Sequence, residues 1–199
     1  MTDDSGLVIG PDGHARCFWG GSTPDYVGYH DNEWGRPLRG DDVLFERMSL
    51  EAFQSGLSWI TILRKRPAFR AAFDNFSIEK VAAYSDADAT RLMADTGIVR
   101  NRMKVEATLH NARVAADLPE GLSALLWSFA PMPRPPRPHS RADVPAITPE
   151  STAMSKALKK LGFKFVGPTT AYALMQATGM VDDHLAGCWV PPISLETAA

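Results

Sequence analysis

The sequence is poor in cysteine, in long apolar runs and in net charge, and each shortage excludes a class of protein. With only Cys17 and Cys188, the chain cannot build the disulfide framework that holds many small secreted domains together. No run of about 18 or more apolar residues occurs, so no segment is expected to span a membrane. The 21 basic and 23 acidic residues give a net charge of −2, which argues mildly against nucleic-acid binding, although local patches decide that question.

The first residues, MTDDSGLVIGPDGHARC, are acidic and polar, where a secretory signal would be basic and then apolar. We therefore expect a cytoplasmic protein. Because the cytoplasm is reducing, the two cysteines are expected to serve packing, reactivity or metal binding rather than a disulfide.

A helical period dominates the pattern of apolar residues, and no strand-like alternation stands out. With 199 residues and 45% hydrophobic content, the chain suffices for one large domain or two small ones. Pro67 is expected to open a helix of its own, and the segment 131–149, with seven of the fifteen prolines, to connect two helical lobes. Capping residues predict an all-α fold with helices beginning near residues 41, 58, 67, 77, 85, 99, 119, 149 and 168.

The motif GFKFVG, residues 162–167, lies between two predicted helices and indicates a helix, a tight hairpin and a second helix. Glycines let backbone N–H groups converge, and the start of the following helix adds the positive end of its dipole, so the turn can hold a phosphate. The alternative is a plain helical hairpin with a solvated lysine face. The nearby lysines are Lys156, Lys159, Lys160 and Lys164.

Large aromatic side chains cluster in two segments, YVGYHDNEWG at residues 26–35 and LEAFQSGLSW at residues 50–59. Stacking between rings is how proteins hold an extruded nucleobase, and a carboxylate can accept hydrogen bonds from its exocyclic amine. Glu51 is the candidate carboxylate, since an unpaired charge among its apolar neighbours would be costly. Alternatively, the rings only pack the core, and Glu51 faces solvent or pairs with Arg47. The predicted pocket residues, with Trp19 just upstream, are Tyr26, Tyr29, Trp34, Glu51 and Trp59.

Several sequence words in order resemble the bacterial 3-methyladenine DNA glycosylase I enzymes, which belong to the helix-hairpin-helix glycosylase superfamily. The words are YHDNEWG, LEAFQSGLSWITILRKR, GIVRNRMKVEAT, LLWSF, SKALKKLGFKFVG and DDHLAGC. The resemblance runs from about Arg16 to Cys188 and implies one glycosylase domain over residues 16–192. Residues 1–15 and 193–199 are expected to be flexible.

The resemblance implies a DNA repair enzyme that flips out 3-methyladenine and hydrolyses its N-glycosidic bond, the first step of base excision repair. Methylation at N3 leaves adenine cationic, so the bond is already weak and the base leaves neutral without being protonated. Glu51 would contact the methylated base. Thr169 stands where bifunctional superfamily members place a lysine nucleophile, so no lyase activity is expected. The pocket walls would be Tyr29, Trp34 and Trp59, with Tyr26 close by.

The resemblance also implies a set of DNA contacts. Gln54 and Leu57 would lie on the turn that probes the gap left in the duplex, and the hairpin at Gly162, Lys164 and Gly167 would anchor the phosphate backbone. We expect a monomer that acts on double-stranded DNA containing alkylated adenine, associated with the bacterial nucleoid when acting and not with a membrane. Three basic residues either add backbone contacts or form a solvated helix face: Arg100, Arg102 and Lys104.

Many enzymes of the superfamily use an Asp after the hairpin helix to support the sugar cation and activate water. Asp182 is the candidate for that role in this sequence, and the alternative is that Glu51 is the main electrostatic element.

The family carries a structural zinc site that ties the chain ends together, and two cysteines with two histidines match it here. His184 and Cys188 are four positions apart, on one face of a helical turn, while Cys17 and His30 lie near the other end. The alternative for each is a buried core residue. A zinc-stabilised DNA-binding module without catalysis would not need Glu51 among aromatics, and a zinc hydrolase would need a base near the metal, as in HExxH, which the sequence lacks.

Overall fold

The computed structural model describes residues 6–192, and most of this range is helical. None of its helices is long and apolar enough to cross a membrane. Short 3-10 turns lie at Asp74–Phe76 and Arg141–Asp143. The α-helices are α1 Pro24–Asn32, α2 Asp41–Gln54, α3 Trp59–Ala72, α4 Ile78–Ala82, α5 Asp86–Ala94, α6 Arg102–Ala116, α7 Gly121–Trp127, α8 Pro149–Lys160 and α9 Pro168–Ala177.

A small β-hairpin corrects the expectation of a purely helical chain. Strands β1 (Leu7–Ile9) and β2 (Ala15–Cys17) pair antiparallel, with Leu7 opposite Cys17. Strands of three residues are too short to display a period-two alternation, so the sequence pattern did not reveal them. The hairpin begins in residues that the sequence analysis placed outside the domain, and its second strand ends on Cys17.

The starts of α1 and α8 follow local capping chemistry. The Thr23 side chain accepts from the backbone N–H of Tyr26 at the start of α1. Thr148 accepts from the backbone N–H of Ser151, with Pro149 at the first position of α8. Side-chain acceptors satisfy N–H groups that have no partner inside the helix, and proline has no such group to satisfy.

Pro67 does not open a helix, which corrects the sequence-based boundary. It lies inside α3, where its missing N–H removes one backbone hydrogen bond. The helix continues past it because Phe69 and Ala72, which follow Pro67 in the same helix, are buried in the main core. Tertiary packing therefore overrides the local helix-breaking tendency.

Helix α2 is the centre of the fold. Every position from Leu44 to Phe53 is buried, and α2 packs against α3, α6, α7 and α9. A helix enclosed in this way buries its charged residues along with its apolar ones. Glu46 satisfies its charge with Arg70 of α3, whose Nη2 donates to Oε1 at 2.8 Å. Glu51, one turn before the end of α2, requires a different explanation.

The Pro-rich segment 131–149 runs alongside the carboxyl-terminal segment of the domain. Arg137 donates from Nη1 to the carbonyl of Val190 at 2.7 Å. The backbone N–H of Ala186 donates to the carbonyl of Pro138 at 2.8 Å. These bonds hold the connection in place and bring its later residues to the cavity described next.

Candidate active site

A cavity of about 450 Å³ opens between the two ends of the chain and helices α1, α2, α3 and α9. All the predicted pocket residues line it, and so do Gln54 and Cys17. The sequence analysis missed several further lining residues, because only long-range packing brings them to the cavity: Phe18, Arg141, Val144, Pro145, Ala146, Ala173, Gln176, Asp183 and Leu185.

The aromatic walls are fixed by contacts among themselves. The ring centroids of Trp19 and Trp34 lie 5.0 Å apart, edge to face, and those of Tyr29 and Trp59 lie 5.4 Å apart. The hydroxyl of Tyr26 accepts from the backbone N–H of Ile60 at 3.0 Å, which ties α1 to the start of α3. Rings that brace one another lose little freedom on binding, so the cavity is preorganised for a flat, apolar-faced ligand.

Glu51 places an unpaired carboxyl group in the wall of this cavity. Its side chain is only 5% exposed, and no hydrogen bond or ion pair reaches it from any residue in the range 6–192. The alternative pairing with Arg47 is not formed, because Arg47 donates to Glu33 at 2.8 Å. Burial raises the pKa of Glu51 to about 7, and the positive charge of Arg47 opposes that rise.

Three of the four predicted metal ligands converge beside the cavity. The ligand atoms of Cys17, His30 and Cys188 lie within 4.8 Å of one another, and all three residues are buried. Cys188 Sγ is 3.6 Å from His30 Nε2. Two sulfurs and an imidazole nitrogen are donors that suit zinc.

His184 adjoins this group, with its ring centroid 4.9 Å from that of His30. Its Nδ1 lies 2.8 Å from Asp182 Oδ1, and Nδ1 of His30 lies 2.8 Å from Asp31 Oδ1. Each carboxylate therefore orients one imidazole and leaves its Nε2 free of a carboxylate partner, the arrangement that accompanies histidine ligands of metals. The predicted helical turn at His184 and Cys188 is wrong: this segment is irregular, because α9 has ended at Ala177.

The Cys/His group and the aromatic walls are in direct contact. The ring of Trp34 lies 4.8 Å from that of His184, and the ring of Trp19 lies 5.1 Å from that of His30. Cys17 lines the cavity itself. The position of two walls therefore depends on how the chain ends are joined.

The sequence analysis named Asp182 as the candidate acid for the sugar, but the structure places the next residue, Asp183, in the cavity wall. Asp182 accepts from Arg137 Nε at 2.8 Å, orients His184 and does not line the cavity. Asp183 does line it, and its Oδ2 accepts from the Tyr172 hydroxyl and from Gln176, both at 2.7 Å. Of the two, Asp183 is the carboxylate that the cavity presents to a ligand.

The loop between α2 and α3 carries an exposed apolar side chain beside the cavity. Leu57 is 41% exposed, whereas Gln54, expected on the same turn, lies in the cavity wall. Gly56 has φ of +81°, a conformation that other residues adopt only with strain.

The three basic residues expected on one helix face have different environments. Lys104 does not reach the surface: its buried ammonium donates to the carbonyls of Phe53 and Ser55 and so holds the loop. Arg100 and Arg102 are exposed.

The hairpin between α8 and α9 is a tight turn that is pinned from α6. Gly162 has φ of +99°, and its carbonyl lies 2.9 Å from His110 Nε2. Asn111 exchanges two hydrogen bonds with the backbone of Lys164. A Cβ added at Gly167 would meet nothing within 4 Å, so the space beside it is open. The side chains of Lys164 and Thr169 are exposed, as are those of Lys156, Lys159 and Lys160.

Comparison with known proteins identifies the family to which this architecture belongs. The model of the methyladenine glycosylase family matches residues 19–191. The chain belongs to the methyladenine glycosylase family. The matched range contains every cavity residue except Cys17 and Phe18.

The chain is similar over most of its length to bacterial proteins and to solved structures named for 3-methyladenine. It is 45% identical over 181 residues to DNA-3-methyladenine glycosylase 1 of Escherichia coli (strain K12), a match that covers 89% of this chain and 97% of the relative. The 3-methyladenine DNA glycosylase I of Staphylococcus aureus superposes with a TM-score of 0.85 at 37% identity, covering 90% of this chain and 97% of that one. A variant of 3-methyladenine DNA glycosylase I, solved with 3-methyladenine bound, superposes with a TM-score of 0.84 at 36% identity, covering 89% and 98%.

The buried carboxyl of Glu51 should cost this glycosylase stability at alkaline pH. Its pKa is raised from 4.5 to about 7, so the folded state holds a proton that the unfolded chain has released between these values. The contribution of protonated Glu51 to the free energy of unfolding is full below pH 4.5 and is lost as the pH rises through 7. Glu51→Gln should therefore raise the free energy of unfolding at pH 8 by up to about 3 kcal/mol, and by less at pH 5.5.

Urea unfolding of wild type and Glu51→Gln at the two pH values measures this difference. Glu46→Gln is the matched control on the same helix, and it should destabilise the protein because Arg70 loses its partner. Equal stabilities of wild type and Glu51→Gln at pH 8 would show that Glu51 is solvated or paired.

Proposed function

We propose that this protein excises 3-methyladenine from double-stranded DNA by hydrolysing the bond between the base and the sugar. The observation that carries the proposal is Glu51, a buried carboxyl without a hydrogen-bond partner among described residues, set in the wall of an aromatic cavity. Such a group is costly in the empty site and is compensated by a ligand that brings donors and positive charge. The relatives named for 3-methyladenine supply the identity of that base.

The chemistry demands little acid–base catalysis. In DNA, 3-methyladenine carries a positive charge, and cleavage of its bond to C1′ returns the bonding electrons to the base, which leaves neutral. Water then adds to C1′ of the sugar cation and loses a proton. Ionised Glu51 favours the cationic substrate over neutral adenine, and the aromatic walls hold the flipped base by stacking. Asp183 lines the cavity, and its hydrogen bonds within residues 6–192 use Oδ2 and not Oδ1. It is therefore the acid that we assign to stabilising the sugar cation.

Replacement of Glu51 should remove the selectivity for the methylated base. Stacking contributes about 1 to 3 kcal/mol for any base, so it does not discriminate. Glu51→Gln keeps the shape of the side chain, and loss of one charge-assisted hydrogen bond should weaken binding of 3-methyladenine by about 1.5 to 3 kcal/mol, roughly ten- to a hundredfold. Trp59→Ala should instead weaken 3-methyladenine and adenine alike. Calorimetric titration of each folded variant with both bases measures these effects.

The decisive assay for the function is release of free base from duplex DNA that carries 3-methyladenine, followed by chromatography. Wild type and Glu46→Gln should release the base, and Glu51→Gln should release it far more slowly. Wild-type protein that binds the lesion but leaves the base attached would instead indicate a DNA-binding module without catalysis.

For DNA binding, we propose that the loop at Leu57 fills the gap left by the flipped base and that the hairpin from Gly162 to Gly167 holds the phosphate backbone. The exposed apolar side chain of Leu57 beside the cavity supports the first assignment. The open space at Gly167 and the N–H groups in the first turn of α9 support the second, because a phosphate can approach them closely.

We further propose that Cys17, His30, His184 and Cys188 bind one structural zinc ion. The donor chemistry fits zinc, and Asp31 and Asp182 orient the two imidazoles as metal-bound histidines require. Four protein ligands would leave no open position for a reacting water, so the ion would hold the chain ends together and take no part in the reaction.

Purified protein should therefore contain about one zinc ion per chain. Cys17→Ser and His184→Ala should each lose the metal and unfold at lower temperature, because binding free energy of a structural metal is folding free energy. His139→Ala, at an exposed histidine outside the cluster, should keep both properties. Metal analysis that finds no zinc in protein prepared without chelators would refute the proposal.

We also propose that the enzyme is monofunctional. Thr169 occupies the early position of α9, and its hydroxyl cannot form the Schiff base that drives strand cleavage. The abasic strand should remain intact after base release when analysed by denaturing electrophoresis. Borohydride trapping of a covalent protein–DNA adduct would count decisively against this assignment.

A further inference from the structure

Arg47 lies on α2 one helical turn before Glu51 and is itself buried, with 6% of its surface exposed. Its Nη2 donates to Glu33 Oε2 at 2.8 Å, and its Nη1 has no hydrogen-bond partner in the described structure. The guanidinium carbon lies 5.5 Å from the ring centroid of Tyr29, one of the cavity walls. A buried arginine with an uncommitted N–H beside a substrate pocket is unusual, since desolvation of such a group is costly.

Glu33 fixes the position of this arginine. It also accepts two hydrogen bonds from Arg66 of α3, at 2.6 and 2.8 Å. Burial alone would raise the pKa of Glu33, but hydrogen bonds and charge from Arg66 and Arg47 outweigh it and lower that pKa to about 2. Glu33 is therefore ionised at neutral pH, and the cluster of Arg47, Glu33 and Arg66 carries a net positive charge there.

We propose that Arg47 is a positioning residue for base recognition: its charge, held against the Tyr29 ring by Glu33, increases the ionised fraction of the Glu51 carboxylate at neutral pH. The inference rests on the proposed function, in which ionised Glu51 selects a cationic base. Burial without this charge would leave Glu51 protonated and neutral in the empty site. A neutral carboxylic acid would lose the electrostatic preference for the methylated base.

The other groups around Glu51 do not supply this charge. On α1, Tyr29 is neutral, because burial raises the pKa of its hydroxyl above the ordinary range, and the Tyr26 hydroxyl bonds to Ile60. On α9, Thr170 faces a void of about 10 Å³ beside Glu51 and has no charge.

The remaining charged groups that line the cavity are Asp183 and Arg141. Asp183 is an acid and offers no positive charge, and the guanidinium carbon of Arg141 lies over the Phe18 ring, 4.4 Å from its centroid. Among these groups, only Arg47 contributes the charge that lowers the pKa of Glu51.

The test is a direct titration of Glu51. Protein labelled with ¹³C at the glutamate carboxyl carbons is titrated by NMR, and the Glu51 signal is assigned by its loss in Glu51→Gln. In wild type the signal should titrate near pH 7. In Arg47→Met, which keeps the bulk and removes the charge, the midpoint should rise by about one pH unit, the effect expected of a charge one helical turn away in a partly dry interior.

Two further variants make the result specific. Arg66→Met disturbs the same cluster without removing the charge next to Glu51, and the midpoint should move by much less than in Arg47→Met. Glu33→Gln removes the negative charge that partly neutralises Arg47, so the midpoint should fall, and this opposite sign is a test that survives if Arg47→Met does not fold.

An unchanged Glu51 titration midpoint in Arg47→Met, or a higher midpoint in Glu33→Gln, would overturn the inference. Because the titration needs no substrate, its outcome is independent of base release. A wild type that shows the predicted midpoints but releases no 3-methyladenine would contradict the proposed function alone.

Discussion

The burial of the Glu51 carboxyl group, which has no hydrogen-bond partner among residues 6–192, is the constraint on which the rest of the site depends. Glu51 sits on the most enclosed helix of the protein, where its charge is costly and its pKa is raised to about 7. A purely structural glutamate would be expected to find a partner, as Glu46 does five positions earlier on the same helix. The empty site therefore stores an unfavourable interaction that a suitable base relieves, which is how a binding pocket gains selectivity.

The Cys/His group explains how such a cavity remains open. It joins the segment at Cys17 to the segment at Cys188, and its histidines contact Trp19 and Trp34. Without this junction, Trp34 would lose its contact with His184, which comes from the opposite end of the chain. The Cys/His group and the aromatic cavity are thus in direct contact, and the first helps to hold the walls of the second in place.

Sequence patterns predicted those features that depend on local chemistry. The cap at Thr148, the helix that carries Glu51 and the clustering of aromatics around it follow from residue type and spacing. Features that depend on partners far along the chain were missed. Asp182 and Asp183 are neighbours, and only the path of the backbone after α9 decides that the second lines the cavity.

The same limit applies to basic residues and to the Pro-rich segment. In the sequence, Lys104 is one of three neighbouring cations. Only the fold shows that its ammonium donates hydrogen bonds to two backbone carbonyls at the end of α2. Residues 144–146 come from the proline-rich connection, whose composition indicates a loop without indicating that it forms a pocket wall. Residue type and spacing identify candidate functional side chains, and long-range packing determines which of them lie close together.

The most direct test of the central claim is the pH dependence of base release by the wild-type enzyme under single-turnover conditions, with the enzyme far below saturation so that the rate reports the titration of the free protein. If ionised Glu51 selects the cationic base, the rate of 3-methyladenine release from duplex DNA should fall as the pH drops through about 7, following a single titration. Glu51→Gln should be slow and free of that titration. A wild-type rate that is constant from pH 5.5 to 8.5, or a Glu51→Gln variant with the same titration, would contradict the account.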